Sequence, residues 1–157
     1  MRKLLIISVV CTCFGCATPY QEMGFAGGVT AQQMTSNTFR IVSRGNGYTD
    51  STAVQDYLML KSAETTIQNG GTHFLVITAA DASRNAQIVT GGIAHTTFNG
   101  NSATTTYTPP TATNIFKPGQ DAYIRVINVP QGTQPPDSAV AATEVIQFVG
   151  PRVRRPQ

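Results

Sequence analysis

The spacing of apolar residues changes character several times along the chain, and each change marks an element. Leu4 to Phe14 is an unbroken apolar run behind the basic pair Arg2 and Lys3. Residues 17–37 have three glycines, a proline and little periodicity, and read as a tether on which Tyr20, Met23 and Phe25 could lie against a domain. Period 2 begins at Thr38. Phe39, Ile41 and Ser43 alternate with Arg40, Val42 and Arg44, the pattern of a half-buried strand. Gly45-Asn46-Gly47 reads as a tight turn in which both glycines permit positive φ and Asn46 tolerates it. A helical period follows. Thr49, Asp50 and Ser51 offer N-caps. Val54, Tyr57, Leu58, Lys61 and Glu64 form one row, and Ala53, Leu60, Ala63 and Ile67 the adjoining one. Gly70-Gly71 ends the helix in the expected way. Residues 72–80, THFLVITAA, are apolar at successive positions, so they predict a central strand covered on both faces.

The pattern then weakens. Eight of the eighteen residues from Thr96 to Thr113 are threonine. Residues 87–98 and 102–108 could pair as a protruding hairpin across Asn99-Gly100-Asn101, or form a mobile loop; such a polar stretch cannot build a core. Residues 121–130 predict another strand, in which Tyr123, Ile127 and Val129 are interleaved with Arg125. Residues 137–150 predict a second helix, capped by Asp137 or Ser138, with Ala142, Val145, Ile146 and Val149 on its apolar face and Gly150-Pro151 as its stop. The order β-α-β-hairpin-β-α predicts an α+β domain over 38–150 with a Thr-rich insert at 85–115. The expected form is a two-layer sandwich, with two helices on one face of a small mixed sheet and a right-handed βαβ-like unit. Residues 151–157 are a basic tail.

Composition sharpens this in one respect. Hydrophobic residues are 41% of the 157 and charged residues only 12%, about half the usual charged share. The net charge is +3. Arg2 and Lys3 lie at the start, and Arg152, Arg154 and Arg155 at the end. The body between has no basic excess, so nothing marks it for nucleic acid.

The start of the chain carries the strongest motif. The apolar run is about 11 residues, roughly 16 Å as a helix, too short for a hydrocarbon core of about 30 Å and suited to a signal peptide over 1–15. It ends in Cys13-Phe14-Gly15-Cys16, which resembles the bacterial lipobox. Gly15 and Cys16 match the cleavage site, and Cys13 stands where leucine is usual. The expectation is cleavage between Gly15 and Cys16, acylation of Cys16, and a lipidated N-terminus and tether over 16–37. All three cysteines fall within the first sixteen residues, which leaves no disulfide in the domain. Several acyl chains anchor firmly where one is marginal. Ala17 in place of aspartate points to the periplasmic face of the outer membrane.

Several stretches together resemble a Caulobacter-type family of small proteobacterial lipoproteins of uncharacterised role: CATPYQEMGFAGG from Cys16, FRIVSRGNGYTD from Phe39, YLMLKSAETTIQNGGTHFLVI from Tyr57 and DSAVAATEVI from Asp137. The resemblance covers most of 16–80, extends weakly over 120–148 and omits the Thr-rich insert. It implies a lipidated Cys16, a GNG turn after the first strand and a late Ala-Glu pair in the helix. It brings no activity with it.

Candidate chemistry is sparse. A dinucleotide loop needs G-x-G-x-x-G, and Asp50 stands at the third glycine's place, where it would repel a pyrophosphate. Glu64 is a lone acid in a helix, either exposed near Lys61 or ion-paired to Arg40 or Arg44 on the preceding strand. His73 and His95 have no Cys or acid at ligand spacing, so no metal site is expected. Ser43 and Ser51 have no triad-like partners, and G-x-S-x-G is absent. No catalytic residue and no cofactor is expected. The tail could touch an anionic surface or be solvated. The resulting expectation is a non-catalytic interaction or scaffolding module, anchored to the bilayer through Cys16, with an envelope protein as a possible partner. The alternative is an envelope lipoprotein that binds a small ligand or glycan on the Thr/Asn-rich hairpin.

Overall fold

The computed structural model describes residues 16–156; the expected signal peptide over 1–15, with Gly15, lies outside them. Two structural regions follow one another in space, a packed α+β body and a long arm.

The body holds a five-stranded sheet, β1 (Gly28–Gln33), β2 (Thr38–Arg44), β3 (His73–Asp81), β8 (Gly119–Ile127) and β9 (Val140–Ala141), in the order β1-β2-β8-β3-β9. Every ladder is antiparallel. The expected mixed sheet is thereby corrected. β2 and β3 do run the same way, as a βαβ unit requires, but β8 is inserted between them and pairs antiparallel with both.

Helix α1 (Ser51–Gln68) crosses β1, β2, β8 and β3. Asp50 caps it, accepting from the Thr52 N–H at 3.3 Å. Asn69 closes it, and Gly70, at φ +73°, takes the left-handed C′ position. Its buried face is wider than the apolar rows predict and includes Ser62 and Thr66. Their hydroxyls donate to the carbonyls of Leu58 and Ser62, each at 2.8 Å, whereas the buried Ser43 hydroxyl on the facing strand has no such partner. Ile67, expected in the apolar row, is exposed.

The second helix, α2 (Ala142–Val149), is shorter than predicted. Residues 140–141 pair with β3 instead, and Ser138 sits at φ +68°, outside any helix. α2 packs on α1, on β9 and on the 3-10 turn Gly150–Arg152, not across the strands. Only α1 therefore covers the sheet, and the expected two-layer sandwich with both helices on one face gives way to a plainer α+β arrangement.

Strand β2 follows its sequence pattern. Phe39, Ile41 and Ser43 are buried toward α1, while Arg40, Val42 and Arg44 face away. β3 does not. Phe74 is fully buried, but Val76 and Ile77 are 41% and 49% exposed. The strand leaves the sheet's interior after its first turn of residues, at a register shift between Val76 and Thr78. Among the described residues the core cluster includes none between Phe74 and Ala122.

Those intervening residues form the arm. β4 (Arg84–Thr90) pairs with β7 (Thr111–Lys117), and β5 (Ile93–Asn99) with β6 (Ser102–Thr108), all antiparallel. Together they prolong the β3–β8 pair into one two-stranded ribbon that turns at Gly100-Asn101. The insert is thus a hairpin, longer than the segments 87–98 and 102–108 suggest.

The two ends of the chain also differ from expectation. The stretch read as a tether contains β1, and both Thr18 and Tyr20 are buried. Val29 enters the core singly, at 1% exposure, a contribution too isolated to show as a period. The basic tail is not a free solvated segment. Val153 is buried, and the Tyr20 N–H donates to the Arg154 carbonyl at 2.7 Å.

Candidate functional site

Three arrangements bear on function: the seat of Cys16, the clamp around Glu64 and the faces of the arm.

Cys16 is exposed and its thiol is free. The residues just after it are docked. The Asn46 side-chain amide donates to the Cys16 carbonyl at 2.6 Å. The Thr18 N–H donates to Thr49 Oγ1 at 2.9 Å, and the Tyr57 hydroxyl to the Thr18 carbonyl at 2.8 Å. Residues 45–49 thus grip the start of the described chain. Gly45 and Gly47 are absent from the positive-φ positions, contrary to the sequence reading. Their role is close approach. A Cβ on Gly45 would press on Thr49, and one on Gly47 would overlap the side chain of Ile115 in β7. The GNG turn therefore joins two things: the seat of Cys16 and the base of the arm.

Glu64 is not paired to Arg40 or Arg44, which corrects the expected ion pair. Those arginines are on the sheet face turned away from α1. There Arg44 Nη1 donates to Asp121 Oδ1 at 2.5 Å and Arg40 Nη2 to Asp121 Oδ2 at 2.7 Å. Asp121 stands opposite Val42 in register, so it lies between the two arginines. Burial alone would raise its carboxyl, but the hydrogen bonds from Arg44 and Arg40 outweigh it and hold the group below the usual carboxylate range. Sequence reasoning passed over Asp121; its alternation with Tyr123 and Arg125 puts it on the face of Arg40 and Arg44.

Glu64 instead receives the Tyr20 hydroxyl at 2.5 Å and Arg155 Nη2 at 3.2 Å. The Arg155 guanidinium lies 5.4 Å from the centre of the Tyr20 ring, and that ring meets Tyr57 edge-on at 5.6 Å. Burial, then the Glu64 carboxylate, pushes the Tyr20 phenol well above its ordinary value, so it remains a proton donor. Arg152 holds Asp56 through two nitrogens, at 2.7 and 3.2 Å. Lys61 pairs with Glu22. These groups join the two ends of the described chain to α1, and each charge is committed to a neighbour.

The arm has a different chemistry. No charged residue occurs from Asn85 to Phe116. At its base Arg84 and Lys117 are cross-strand partners. Alternation sorts the rest. Even positions on the outgoing strand share a face with odd positions on the return, and there stand Ala86, Ile88, Ala94, Phe98, Tyr107 and Ile115, with threonines between them. Asn85, Gln87, His95, Asn99, Ser102 and Asn114 all have the opposite parity, and share that face with Val89, Ile93, Ala112 and Phe116. Phe98 is 77% exposed and Tyr107 63%.

His73 and His95 are far apart in these elements; His73 Nδ1 lies 2.9 Å from Thr72 Oγ1 and His95 is exposed on the arm. Among the described residues no group of three His, Cys, Asp or Glu side chains could hold a metal ion, and no helix is long and apolar enough to cross a membrane. No protein-family model, no curated protein and no solved structure matches the chain.

Proposed function

We propose that the protein is a bacterial envelope lipoprotein, acylated at Cys16 and held at the periplasmic face of the outer membrane, that works as a non-catalytic interaction module. The observation that carries this reading is the placement of Cys16. It is the exposed start of the docked segment, and the turn that holds its carbonyl also supports the base of an uncharged arm. The lipobox-like Gly15-Cys16 and the resemblance to small proteobacterial lipoproteins support the same anchor. The Glu64 clamp and the Asp121 pair are read as structural, because each charged group has an ion-pair partner, although Arg40 Nε is left without a hydrogen bond. The arm then becomes the part that meets a partner.

The test is metabolic labelling with a radioactive fatty acid, followed by membrane fractionation. Cys16→Ala should abolish labelling and release the protein from membranes. Unchanged labelling in that variant would refute the anchor.

A further inference from the structure

We propose that the arm is a membrane-inserting β-hairpin, and that several copies of this chain place their arms side by side to close a β-barrel in the bilayer. This deepens the interaction-module reading and rests on it: the partner of the arm is the same arm of other copies, and its apolar face meets lipid.

The register gives the first support. From Thr78↔Tyr123 to Asn99↔Ser102 the pairing does not slip. Gly91-Gly92 and Pro109-Pro110 leave the ladder, yet an equal number is skipped on each strand and the register resumes unshifted. The sorting by parity is therefore preserved on both sides of the interruption. One side of the ribbon carries apolar residues and threonines; the other takes every asparagine, glutamine, histidine and serine outside the turn, together with Val89, Ile93, Ala112 and Phe116. The strongly polar side chains are thus sorted to one face, as in a strand between hydrocarbon and water. Thr96 and Thr105, on the apolar side, satisfy one another across the strands at 2.9 Å, which lowers the cost of carrying hydroxyls into an apolar medium.

Length and charge agree. Ala86 to Phe98 is about 13 residues, at most roughly 43 Å at 3.3 Å per residue, since Gly91 and Gly92 interrupt the strand. With a strand tilt of about 40° it rises about 33 Å, against a hydrocarbon thickness of about 30 Å. Arg84 and Lys117 flank the uncharged stretch at its base, where headgroup phosphates would lie. The GNG turn places that base beside the seat of Cys16, so the acyl chains and the arm would enter the bilayer from one end of the molecule.

The need for several copies follows from the backbone. A single hairpin has two unpaired edges, and an unpaired peptide group in hydrocarbon costs several kcal/mol, so only closed barrels span with strands. In water, a lone two-stranded hairpin is only marginally stable. Absence of charge along the arm means that identical arms meet without repulsion. The barrel's lumen would be lined by uncharged side chains, Gln87, Thr97, Thr104 and Asn114 beside Val89, Ile93 and Phe116, and so conduct ions with little charge selectivity.

The full-length chain allows a direct test, because residues 17–157 contain no cysteine. Single cysteines would replace Ala86, Ala94 and Ala103 on one face and Thr97, Thr104 and Thr106 on the other. Each would carry a nitrobenzoxadiazole label. The protein would be reconstituted into phosphatidylethanolamine–phosphatidylglycerol vesicles with and without nitroxide lipids, and a chain lacking 85–116 would serve as the anchoring control. The expected result is lipid quenching about threefold stronger or more at the three alanine sites, with amine cross-linking that yields oligomers. If all six labels stay aqueous while the armless control floats with the vesicles, insertion is wrong and the anchor stands. If the armless control fails to float but the full chain shows alternating quenching, the arm inserts and the anchor is wrong. Alternating quenching in a chain that cross-links only as a monomer would overturn the barrel. Oligomers with six aqueous labels would overturn insertion.

Discussion

Glu64 serves two partners of unequal worth. The hydrogen bond from the buried Tyr20 hydroxyl to a carboxylate is worth on the order of 1.5–3 kcal/mol. The bond from Arg155, whose side chain is 59% exposed, falls among surface pairs worth about 0–1 kcal/mol. Tyr20→Phe should therefore cost about 1.5–3 kcal/mol in urea unfolding and Arg155→Ala clearly less; the reverse order would mean that the tail, not the phenol, organises this site. Asp121 makes a pH-dependent contribution. Its carboxyl is held below the unfolded value of about 3.9. The stability it adds is thus fully present above that value and is lost as pH falls through the lower, folded one. Asp121→Asn should lower stability at neutral pH by about 2 kcal/mol, and its melting temperature should fall less steeply than the parent's below about pH 4. Superimposable acid limbs for the two proteins would show that the Arg40–Asp121–Arg44 group does not carry the dependence.

At the scale of elements, body and arm should be separable, because the core cluster takes nothing from the arm. Arg84 and Lys117 stand opposite one another, so an Asn-Gly pair could join them in place of 85–116 as a two-residue hairpin turn. The shortened protein should melt within about 1 kcal/mol of the parent by circular dichroism; loss of the cooperative transition would show that the arm supports the fold. The same division explains what could be read from the sequence. β2 and α1 were legible because each repeats its apolar spacing over several residues; β8 was legible as a strand but not in its face, since Ala122, Ile124 and Val126 are buried while Tyr123 and Arg125, of the parity the sequence suggested, are exposed. β1 was not, because only Val29 in it is fully packed and its other contact residues are small or polar. β3 misled for a physical reason: Val76 and Ile77 look like core but lie where the ribbon departs from the sheet. The start of α2 was misplaced because Val140-Ala141 pairs with β3, a contact far away in sequence. Of the site, Cys16 was proposed from a local motif alone. The partners of Glu64 and the pairing of Asp121 were not, because Tyr20, Arg155 and the two arginines meet them only through folding.

For the molecule as a whole, closure depends on both ends of the described chain. Residues 18–22 and 152–155 lie along α1 and against one another. Removing 152–157 would take away the buried Val153, the Arg152–Asp56 pair and the carbonyl that receives the Tyr20 N–H. An apolar side chain of that size contributes about 1.5 kcal/mol or more, and the hydrogen bonds about 1 kcal/mol each. The truncated protein should lose on the order of 2–4 kcal/mol in urea unfolding. It should also become open to proteases between residues 17 and 27, a region with no direct contact to some of the residues removed. Protection unchanged in that region would mean that the N-terminal segment docks independently.

The grip of Asn46 and Thr49 on residues 16–18 also bears on the maturation that the proposed anchor would require. A peptidase needs extended, accessible backbone on both sides of the bond it cuts. Once folded, the Cys16 carbonyl and both backbone groups of Thr18 are engaged by the body. If Cys16 is the processed end, as proposed, leader removal would come first and docking second, so that completion of the fold would seal that end and maturation would run in one direction.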